Sequence, residues 1–362
     1  MPLPAHLALE IVTPDRAIVH DQVDEVQVPG SEGYLGVLPG HTPLLSMLQV
    51  GQLWYRKGAE KFYLSIAFGL AEVLPDRVVI LGASGFLGRA LHTALSRDGV
   101  AVIGHSSRTL DLMRPEALSV LDPVLGPGSA LVLASALTPD RGQTPVTFLA
   151  NTTMATNLAG YLEGRRVGSL VYVGSDAVYG FGDEAVTEET SVAPTGYYAL
   201  GKYAAERVMD CAARAASVPL LVLRVTGVYG PGDPHASYGP NAFARSLARD
   251  RSVRIFGAGE EERDHVFVDD VAAVTMGLLR SGAAGVYNVA TGQSRSFADV
   301  VKTIRDLVPY DVEVTSVSRK SPITHRRFDI ARLAQALPGL RFTPLRDGLA
   351  TTLDAFGAVR HG

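Results

Sequence analysis

The sequence contains a single cysteine, Cys211, among 362 residues. One cysteine cannot form a disulfide within the chain, and this scarcity fits a reducing compartment. Cys211 falls within a segment predicted to be helical, so we interpret it as a residue that fills a core rather than as a nucleophile. The composition therefore excludes a disulfide-rich secreted domain.

Long apolar runs and an excess of positive charge are also missing. No run approaches the roughly eighteen apolar residues of a membrane span, and residues 1–6 lack the basic and apolar order of a secretory signal. The net charge of −4 comes from the first 77 residues, which carry five Lys and Arg against nine Asp and Glu. We therefore expect a cytoplasmic protein with no nucleic-acid partner and no metal site. Because 47% of its residues are hydrophobic, the chain can form two or more hydrophobic cores.

The best-defined pattern is a strand, a glycine turn and a helix. Residues 78–81, Val-Val-Ile-Leu, form a short apolar run, and glycines follow at positions 82, 85 and 88. Apolar residues then recur at helical spacing up to Gly99, which is suited to end a helix, and 100–103 is a second buried strand. This order predicts a parallel βαβ unit whose glycines let backbone amides approach a pyrophosphate.

Strand and helix patterns alternate after this unit. The alternation predicts an α/β fold, with a Rossmann-type doubly wound parallel sheet over 78–235 and a small, mainly substrate-binding subdomain over 236–362. The predicted strands are 130–134, 170–173 and 220–224, and the predicted helices are 150–162 and 198–216.

Residues 1–77 follow a different pattern and predict an all-β sandwich domain. Short apolar runs at 7–12, 23–28, 52–56 and 61–68 are separated by glycine and proline, which is typical of an antiparallel sandwich or barrel. Stretches such as Val-Asp-Glu-Val-Gln-Val-Pro-Gly and Gly-Tyr-Leu-Gly-Val-Leu-Pro-Gly-His-Thr-Pro, in order over 6–81, resemble the N-terminal β-sandwich of the F-type ATP synthase epsilon subunit. The resemblance implies a docking module for the gamma subunit and the membrane c-ring, which would place the protein peripherally on the cytoplasmic membrane face.

The two patterns meet at residues 78–81. These residues match both the last strand of the epsilon-type sandwich and the first strand of the βαβ unit, and one strand cannot fill both sheets. Because the glycine turn starts at Gly82, we predict that 78–81 belongs to the parallel sheet and that the sandwich ends near 74–76, one strand short. The chain enters this turn where the epsilon family continues into a helical hairpin. A natural fusion, an engineered chimera and an assembly error in the gene are all open explanations.

Tyr198 and Lys202 stand four residues apart in a predicted helix, which puts both side chains on one face. We expect the lysine ammonium to lower the pKa of the phenol, so that the pair acts as a general acid and base. With the glycine loop and Val-Tyr-Val-Gly-Ser-Asp-Ala-Val-Tyr-Gly at 171–180, the pattern resembles extended short-chain dehydrogenases/reductases of the NAD-dependent epimerase/dehydratase group over 78–357. Tyr197 is the competing tyrosine, but it points off the shared face.

This resemblance implies hydride transfer between a nicotinamide and a carbinol carbon, with Tyr198 moving the hydroxyl proton, Ser175 bonding the same oxygen and Lys202 holding the ribose. Asp111 matches the adenine-contacting residue and Asn151 the helix asparagine of the family. The implied cofactor contacts are Gly82, Gly85, Phe86, Leu87, Gly88, Ser106, Arg108, Asp111, Leu112 and Lys202.

The choice between NADP and NAD depends on the end of the strand at 100–103. No acidic residue follows this strand to hold a ribose 2′-hydroxyl, whereas Arg108 with Ser106 and Ser107 can accept a 2′-phosphate. The sequence therefore favours NADP over NAD.

The stretches 223–232 and 255–272 resemble the nucleotide-sugar branch of the same family. The resemblance implies that Arg263 clamps a diphosphate, a task suited to a planar guanidinium, and that Asn241 also contacts the substrate. Dehydratases of the group carry an acidic residue where this chain has Ala177, so reduction, oxidation or epimerisation is favoured over dehydration.

Asp269 and Asp270 resemble a paired-carboxylate site. In this context we interpret them as caps of a helix that begins near Val271.

Three functions are compatible with the sequence. The first is a nucleotide-sugar oxidoreductase or epimerase joined to a docking sandwich, and the resemblance implies a homodimer through 151–163 and 198–215. The second is a rotor subunit with a passive enzyme half, and the third is a degenerate dehydrogenase that senses dinucleotide. We favour the enzyme, because Ser175, Tyr198 and Lys202 are all present.

Overall fold

The computed structural model describes residues 6–39, 41, 44–73, 77–182, 184–235, 238–319 and 322–359. Its first part is all-β, and the strand pairings before residue 77 are antiparallel. One sheet has the order β7-β6-β3-β5-β8 with β4 beside β3, and β1 pairs with β2. The strands are β1 (Leu7–Val12), β2 (Ala17–Val23), β3 (Glu25–Gly30), β4 (Gly33–Val37), β5 (Leu44–Leu48), β6 (Gly51–Lys57), β7 (Glu60–Ile66) and β8 (Gly69–Val73).

The predicted antiparallel sandwich is confirmed, with one correction to its strands, and its predicted end near 74–76 lies outside the described residues. The run at 23–28 is not one strand, because β2 ends at Val23 and β3 begins at Glu25, so that Asp24 separates them. The Asp24 carboxylate accepts hydrogen bonds from Gly58 N at 2.7 Å and from Arg56 Nη1 at 3.1 Å. The sandwich has its own core, formed by Val23, Val26, Val28, Val37, Leu53 and Tyr55.

The second part alternates strands and helices. Its strands are β9 (Arg77–Leu81), β10 (Ala101–His105), β11 (Ser129–Leu133), β12 (Ser169–Val173), β13 (Leu220–Val225), β14 (Gly227–Tyr229), β15 (Ser252–Phe256), β16 (Glu262–Arg263), β17 (His265–Phe267), β18 (Gly285–Val289), β19 (Arg295–Ser296) and β20 (Glu313–Val317). Its helices are α1 (Phe86–Arg97), α2 (Pro145–Leu162), α3 (Tyr197–Ala216), α4 (Pro240–Asp250), α5 (Val268–Arg280), α6 (Phe297–Arg305), α7 (Ala331–Ala336) and α8 (Leu345–Ala355).

Strand β9 lies inside a six-stranded parallel sheet of order β10-β9-β11-β12-β13-β18. Its residues alternate between the two faces, as the strand period requires. Val79 and Leu81 belong to one buried cluster, and Val78 and Ile80 belong to the other. The prediction that 78–81 joins the parallel sheet is confirmed, and helices cover both faces as predicted.

The helix boundaries follow local signals. Gly99, at φ +74°, ends α1 as predicted. Helix α2 begins five residues before its predicted start, because Thr144, its N-cap, forms a capping box with Thr147 and Pro145 occupies the first helical position.

The interpretation of Cys211 as a core residue is wrong. Cys211 lies in α3 as expected, but its side chain is exposed.

The C-terminal part contributes both a subdomain and the sixth strand of the parallel sheet. Helices α4, α6 and α8 pack with β15 around a core that includes Phe243, Leu247, Val300 and Leu353. Strand β18, from the region predicted to be mainly substrate-binding, pairs with β13.

The interpretation of Asp269 and Asp270 is also corrected. Helix α5 starts at Val268, and neither carboxylate caps it with a side-chain hydrogen bond. Asp270 instead accepts hydrogen bonds from the backbone N and the hydroxyl of Thr343, both at 2.8 Å.

Among the described residues, no helix combines the length and the apolar character needed to cross a bilayer.

Replacing Ile80 tests the position of β9. The side chain is fully buried in the parallel sheet, so Ile80→Ala should lower the free energy of unfolding of the α/β part by about 2–5 kcal/mol. Trp54, the only tryptophan, reports on the sandwich. In a denaturant titration of Ile80→Ala, we expect the midpoint of the helical circular dichroism signal to move to a lower denaturant concentration. The midpoint of the Trp54 fluorescence transition should not change. Leu53→Ala, at a buried position of β6, is the control. It should lower the midpoint of the Trp54 fluorescence transition and leave that of the circular dichroism signal unchanged. A shifted Trp54 transition in Ile80→Ala contradicts the position of β9.

Candidate active site

The candidate site lies at the carboxyl ends of the parallel strands. Strand β10 pairs with one edge of β9, and the next strand along the chain, β11, pairs with the other edge. Such a reversal of strand order leaves a crevice outside the sheet, and ligands of doubly wound folds bind there. The glycine turn follows β9 into this crevice, and Ser175 follows the end of β12.

The glycine turn fits a dinucleotide because side chains have no room in it. Gly82 has φ +97°, and a Cβ there would lie 2.7 Å from Ser135 N. A Cβ on Gly88 would overlap the carbonyl oxygen of Gly82, so α1 packs directly against the turn. Gly85 is the N-cap of α1, and a Cβ there would lie 3.2 Å from Gly82 O. These features suit the close approach of a pyrophosphate to backbone N–H groups.

The structure brings Ser175, Tyr198 and Lys202 together. Ser175 is buried and caps a short 3-10 turn by accepting from Ala177 N at 3.2 Å. Its hydroxyl lies close enough to the Tyr198 phenol to lower the pKa of that group. Lys202 Nζ donates to Val173 O at 2.5 Å, which places the ammonium at the end of β12, two residues before Ser175. Tyr197 lies outside this group, with 42% of its surface exposed.

The expected effect of Lys202 on Tyr198 is corrected by the structure. Burial raises the pKa of Tyr198 to about 12, the hydrogen bond from Ser175 opposes the shift, and the charges of Asp176 and Asp140 add to it. Burial also lowers the pKa of Lys202 to about 8, against the charge of Glu206. The pKa of the phenol moves upwards because burial and the charges of two carboxylates outweigh the effect of Ser175.

Asp176, the residue after Ser175, is held by a buried arginine. Arg326 Nη1 donates to the carboxylate of Asp176 at 2.9 Å and to its backbone carbonyl at 2.8 Å. Its Nη2 donates to the carbonyls of Tyr179 and Gly180, both at 3.1 Å. The C-terminal segment is thereby fixed to the loop after Ser175, and sequence reasoning missed this arginine.

Arg263 lies beside the same group of residues. Its Nη1 donates to Thr324 O at 2.6 Å and its Nη2 to the Thr324 hydroxyl at 3.1 Å. The exposed Phe181 ring lies 4.4 Å from the Arg326 guanidinium and 5.5 Å from that of Arg263. Two guanidiniums thus flank one aromatic ring near Ser175.

The predicted adenine side of the site follows β10. Arg108 is exposed, and its backbone N donates to the Ser106 hydroxyl at 3.3 Å. Asp111 accepts from Met113 N at 3.0 Å, and the carbonyl of the buried Leu112 accepts from Asn157 at 2.9 Å. Phe86 is buried and Leu87 half-buried at the start of α1.

Asn241 and Asn151 use their amides within the protein. Asn241 accepts from Gly230 N at 3.1 Å and donates to Asp233 at 2.5 Å. Asn151 accepts from Leu137 N at 2.7 Å and donates to Leu137 O at 3.0 Å. Each therefore fixes a loop at the crevice.

A pair that sequence reasoning missed is Asp140 with His235. His235 Nδ1 lies 2.9 Å from Asp140 Oδ1, although the residues are far apart in the chain. The pKa of Asp140 is lowered, because the hydrogen bond from Thr138 and the charge of His235 outweigh the effect of burial. No spacing rule connects the two positions, so only the fold could reveal the contact.

The fold and the site together define a doubly wound dinucleotide-binding protein preceded by a β-sandwich. Residues 78–290 match the NAD dependent epimerase/dehydratase family, and this chain belongs to that family. Residues 6–86 match the β-sandwich domain of the ATP synthase Delta/Epsilon chain. The two matches overlap at β9.

Individual proteins resemble one or the other part. The ATP synthase epsilon chain 2 of Syntrophotalea carbinolica is 53% identical over 75 residues, which is 21% of this chain and 54% of that protein. This chain thus spans about half the length of that curated relative.

Solved structures match the second part. The structure of RMD from Pseudomonas aeruginosa complexed with NADPH has a TM-score of 0.68 and 25% identity, and the match covers 78% of this chain and 99% of that one. MoeE5 in complex with UDP-glucose and NAD has a TM-score of 0.66 and 26% identity, covering 77% and 98%. The family supports a nicotinamide cofactor for this chain.

Gly88→Ala tests the fit of the glycine turn. The added methyl group would displace Gly82 O, so we expect the affinity for NADPH or NADH in titration calorimetry to fall at least about tenfold. Circular dichroism checks that the variant is folded. Gly160→Ala, in α2 with nothing near the added methyl, is the control and should leave affinity unchanged. Wild-type affinity in Gly88→Ala contradicts this assignment of the turn.

The lowered pKa of Lys202 predicts a pH dependence of stability. Between about pH 8 and 10.5 the unfolded state binds more protons at this position, so its contribution to the free energy of unfolding rises with pH, by at most about 1.4 kcal/mol per unit. The difference in unfolding free energy between wild type and Lys202→Met should rise across this window in denaturant titrations. Lys302→Met, at a position 78% exposed, should give a flat difference. A flat difference for Lys202→Met as well would contradict the prediction.

Proposed function

We propose that the α/β part catalyses hydride transfer on a nucleotide sugar, as an NAD(P)-dependent oxidoreductase or epimerase of the short-chain dehydrogenase/reductase superfamily. The observation that carries this proposal is the convergence of Ser175, Tyr198 and Lys202 at the crevice that holds the glycine turn. A hydroxyl, a phenol and an ammonium in one place suit the proton transfer that must accompany the hydride.

Each residue has a role in reduction of a keto sugar. A bound reduced nicotinamide would supply the hydride that the carbonyl carbon of the sugar accepts. Tyr198, kept protonated by its raised pKa of about 12, donates its proton to the oxygen. Ser175 donates a hydrogen bond to the same oxygen, and Lys202 holds the ribose.

Oxidation needs the reverse proton transfer. Tyr198 must then act as phenolate, which a pKa of about 12 makes scarce near neutral pH. A cation brought closer to the phenol lowers this pKa.

We propose NADP rather than NAD as the preferred cofactor. Arg108 is exposed beside Ser106 and Ser107 after β10, and no acidic residue follows that strand to exclude a 2′-phosphate. Gly82, Gly85 and Gly88 would hold the pyrophosphate, and Asp111 and Leu112 would border the adenine.

For the substrate we propose a nucleoside diphosphate sugar. MoeE5 binds UDP-glucose, and Arg263 supplies a half-buried guanidinium for a diphosphate. Asn241 would shape the substrate side through segment 230–233. Reduction, oxidation or epimerisation fits better than dehydration, because Ala177 has no titratable group and Asp176 is paired with Arg326.

A second function is docking through the sandwich, favoured by its match to the ATP synthase Delta/Epsilon chain. The gamma subunit and the c-ring are its proposed partners, which would place a cytoplasmic protein peripherally at the membrane face. For the enzyme we propose a homodimer through α2 and α3. A groove lined by Ala159, Leu162, Cys211, Ala212 and Ala215 runs between the outer faces of these helices.

Tyr198→Phe tests the enzyme. Turnover of UDP- and GDP-linked hexoses, followed by nicotinamide absorbance and product NMR, should fall by about 10²–10⁴-fold, because the proton donor is lost. Dinucleotide affinity in calorimetry should change little. Tyr197→Phe, at the exposed neighbouring position, is the matched control and should retain turnover.

Wild-type turnover in Tyr198→Phe would overturn the assigned role. Dinucleotide binding without turnover in the wild-type protein would support the sensor, and absence of both would leave docking as the function.

A further inference from the structure

The segment at residues 230–235, between β14 and α4, reaches across the crevice. We refer to these residues as the cleft segment. Its α4 side is firmly anchored, because Asn241 bonds both Gly230 N and the Asp233 carboxylate, at 3.1 and 2.5 Å. Arg245 donates to the carbonyls of Asp233 and His235. The cleft segment therefore has a defined conformation of its own.

The cleft segment touches the glycine turn side of the crevice. Arg89 Nη2 donates to Gly232 O at 2.5 Å. Arg89 directly follows Gly88, the glycine that packs against the turn. The contact therefore joins the cleft segment to the first turns of α1, next to the glycine turn.

At His235 the cleft segment touches the loop that follows β11. His235 Nδ1 lies 2.9 Å from Asp140 Oδ1, and the Thr138 hydroxyl donates to the same carboxylate oxygen at 2.6 Å. Asn151 fixes this loop through its two hydrogen bonds to Leu137.

The same loop adjoins the start of α3. Gln143 Oε1 lies 3.8 Å from the position of a Cβ on Gly196, two residues before Tyr198. The charge of Asp140 also acts on the phenol of Tyr198. The contact between Asp140 and His235 is therefore made on the catalytic side of the crevice.

We propose that Asp140 and His235 are positioning residues whose contact closes the crevice over a bound dinucleotide. A dinucleotide that extends from the glycine turn to Tyr198 passes beneath the cleft segment. Release then requires the contact between Asp140 and His235 to open, so the pair slows dissociation of the cofactor. The inference rests on the proposed function only in taking a nicotinamide dinucleotide as the enclosed ligand.

Dissociation rates of NADPH and NADH from the full chain test the proposal. Asp140→Asn and His235→Gln should each raise the rate about three- to tenfold in stopped-flow displacement, because each weakens one charge-assisted contact. The double variant should release cofactor no faster than the faster single variant, since both changes remove the same contact.

An ion pair on the opposite side of the molecule provides the control. Asp98 and Arg280 join the end of α1 to α5 at 2.9 Å, and Asp98 is about as exposed as Asp140. Asp98→Asn should leave the dissociation rates unchanged. Unchanged rates in Asp140→Asn and His235→Gln, or additive effects in the double variant, would overturn the inference.

Amide hydrogen exchange of the unliganded protein separates this inference from the proposed function. Peptides covering 230–235 should exchange faster in Asp140→Asn and His235→Gln than in wild type or Asp98→Asn. If the wild type binds neither dinucleotide, the proposed function fails. If, in addition, the exchange rates at 230–235 are the same in the variants as in wild type, the contact between Asp140 and His235 does not hold the cleft segment in place and the inference fails too. Faster exchange supports the fastening whatever the enzyme turns over.

Discussion

A β-strand has two edges, and β9 pairs with a parallel neighbour at each of them. Residues Arg77–Leu81 lie between β10 and β11, and the side chains of 78–81 enter the two buried clusters on opposite faces of the sheet. The turn at Gly82 leaves the carboxyl end of this strand and so reaches the crevice. The site depends on this placement, because a β9 in the sandwich would carry the glycine turn away from Ser175 and Tyr198. The family matches overlap over this strand, and the pairing of β9 with β10 and β11 assigns it to the sheet.

Much of the α/β part could be predicted because its signals are local. The apolar run at 78–81, the glycines at 82, 85 and 88 and the four-residue spacing of Tyr198 and Lys202 are each determined by neighbours in sequence. The break at Asp24 depends on contacts with Arg56 and Gly58 from another hairpin, so an apolar pattern could not reveal it. The exposure of Cys211 depends on which face of α3 packs against the sheet.

The electrostatics of the site could not be predicted from spacing alone. Lysine at the fourth position after tyrosine indicates proximity, but the pKa of Tyr198 is determined by burial and by Asp176 and Asp140, which come from other loops. The pairing of Asp176 with Arg326 joins residues 150 positions apart. This buried ion pair fixes the C-terminal segment against the loop after Ser175, so removing either partner would leave the other charge without compensation.

The short connection between the two parts limits how far apart they can move. Strand β8 ends at Val73 and β9 begins at Arg77, so the ends of the two strands can be separated by at most about 14 Å. Any protein that binds the sandwich must therefore also leave room for the α/β part, which has more than 280 residues, close to the end of β8. If the sandwich were bound to a rotor, the α/β part would rotate with it. The free space around the rotor would then decide whether rotation is possible.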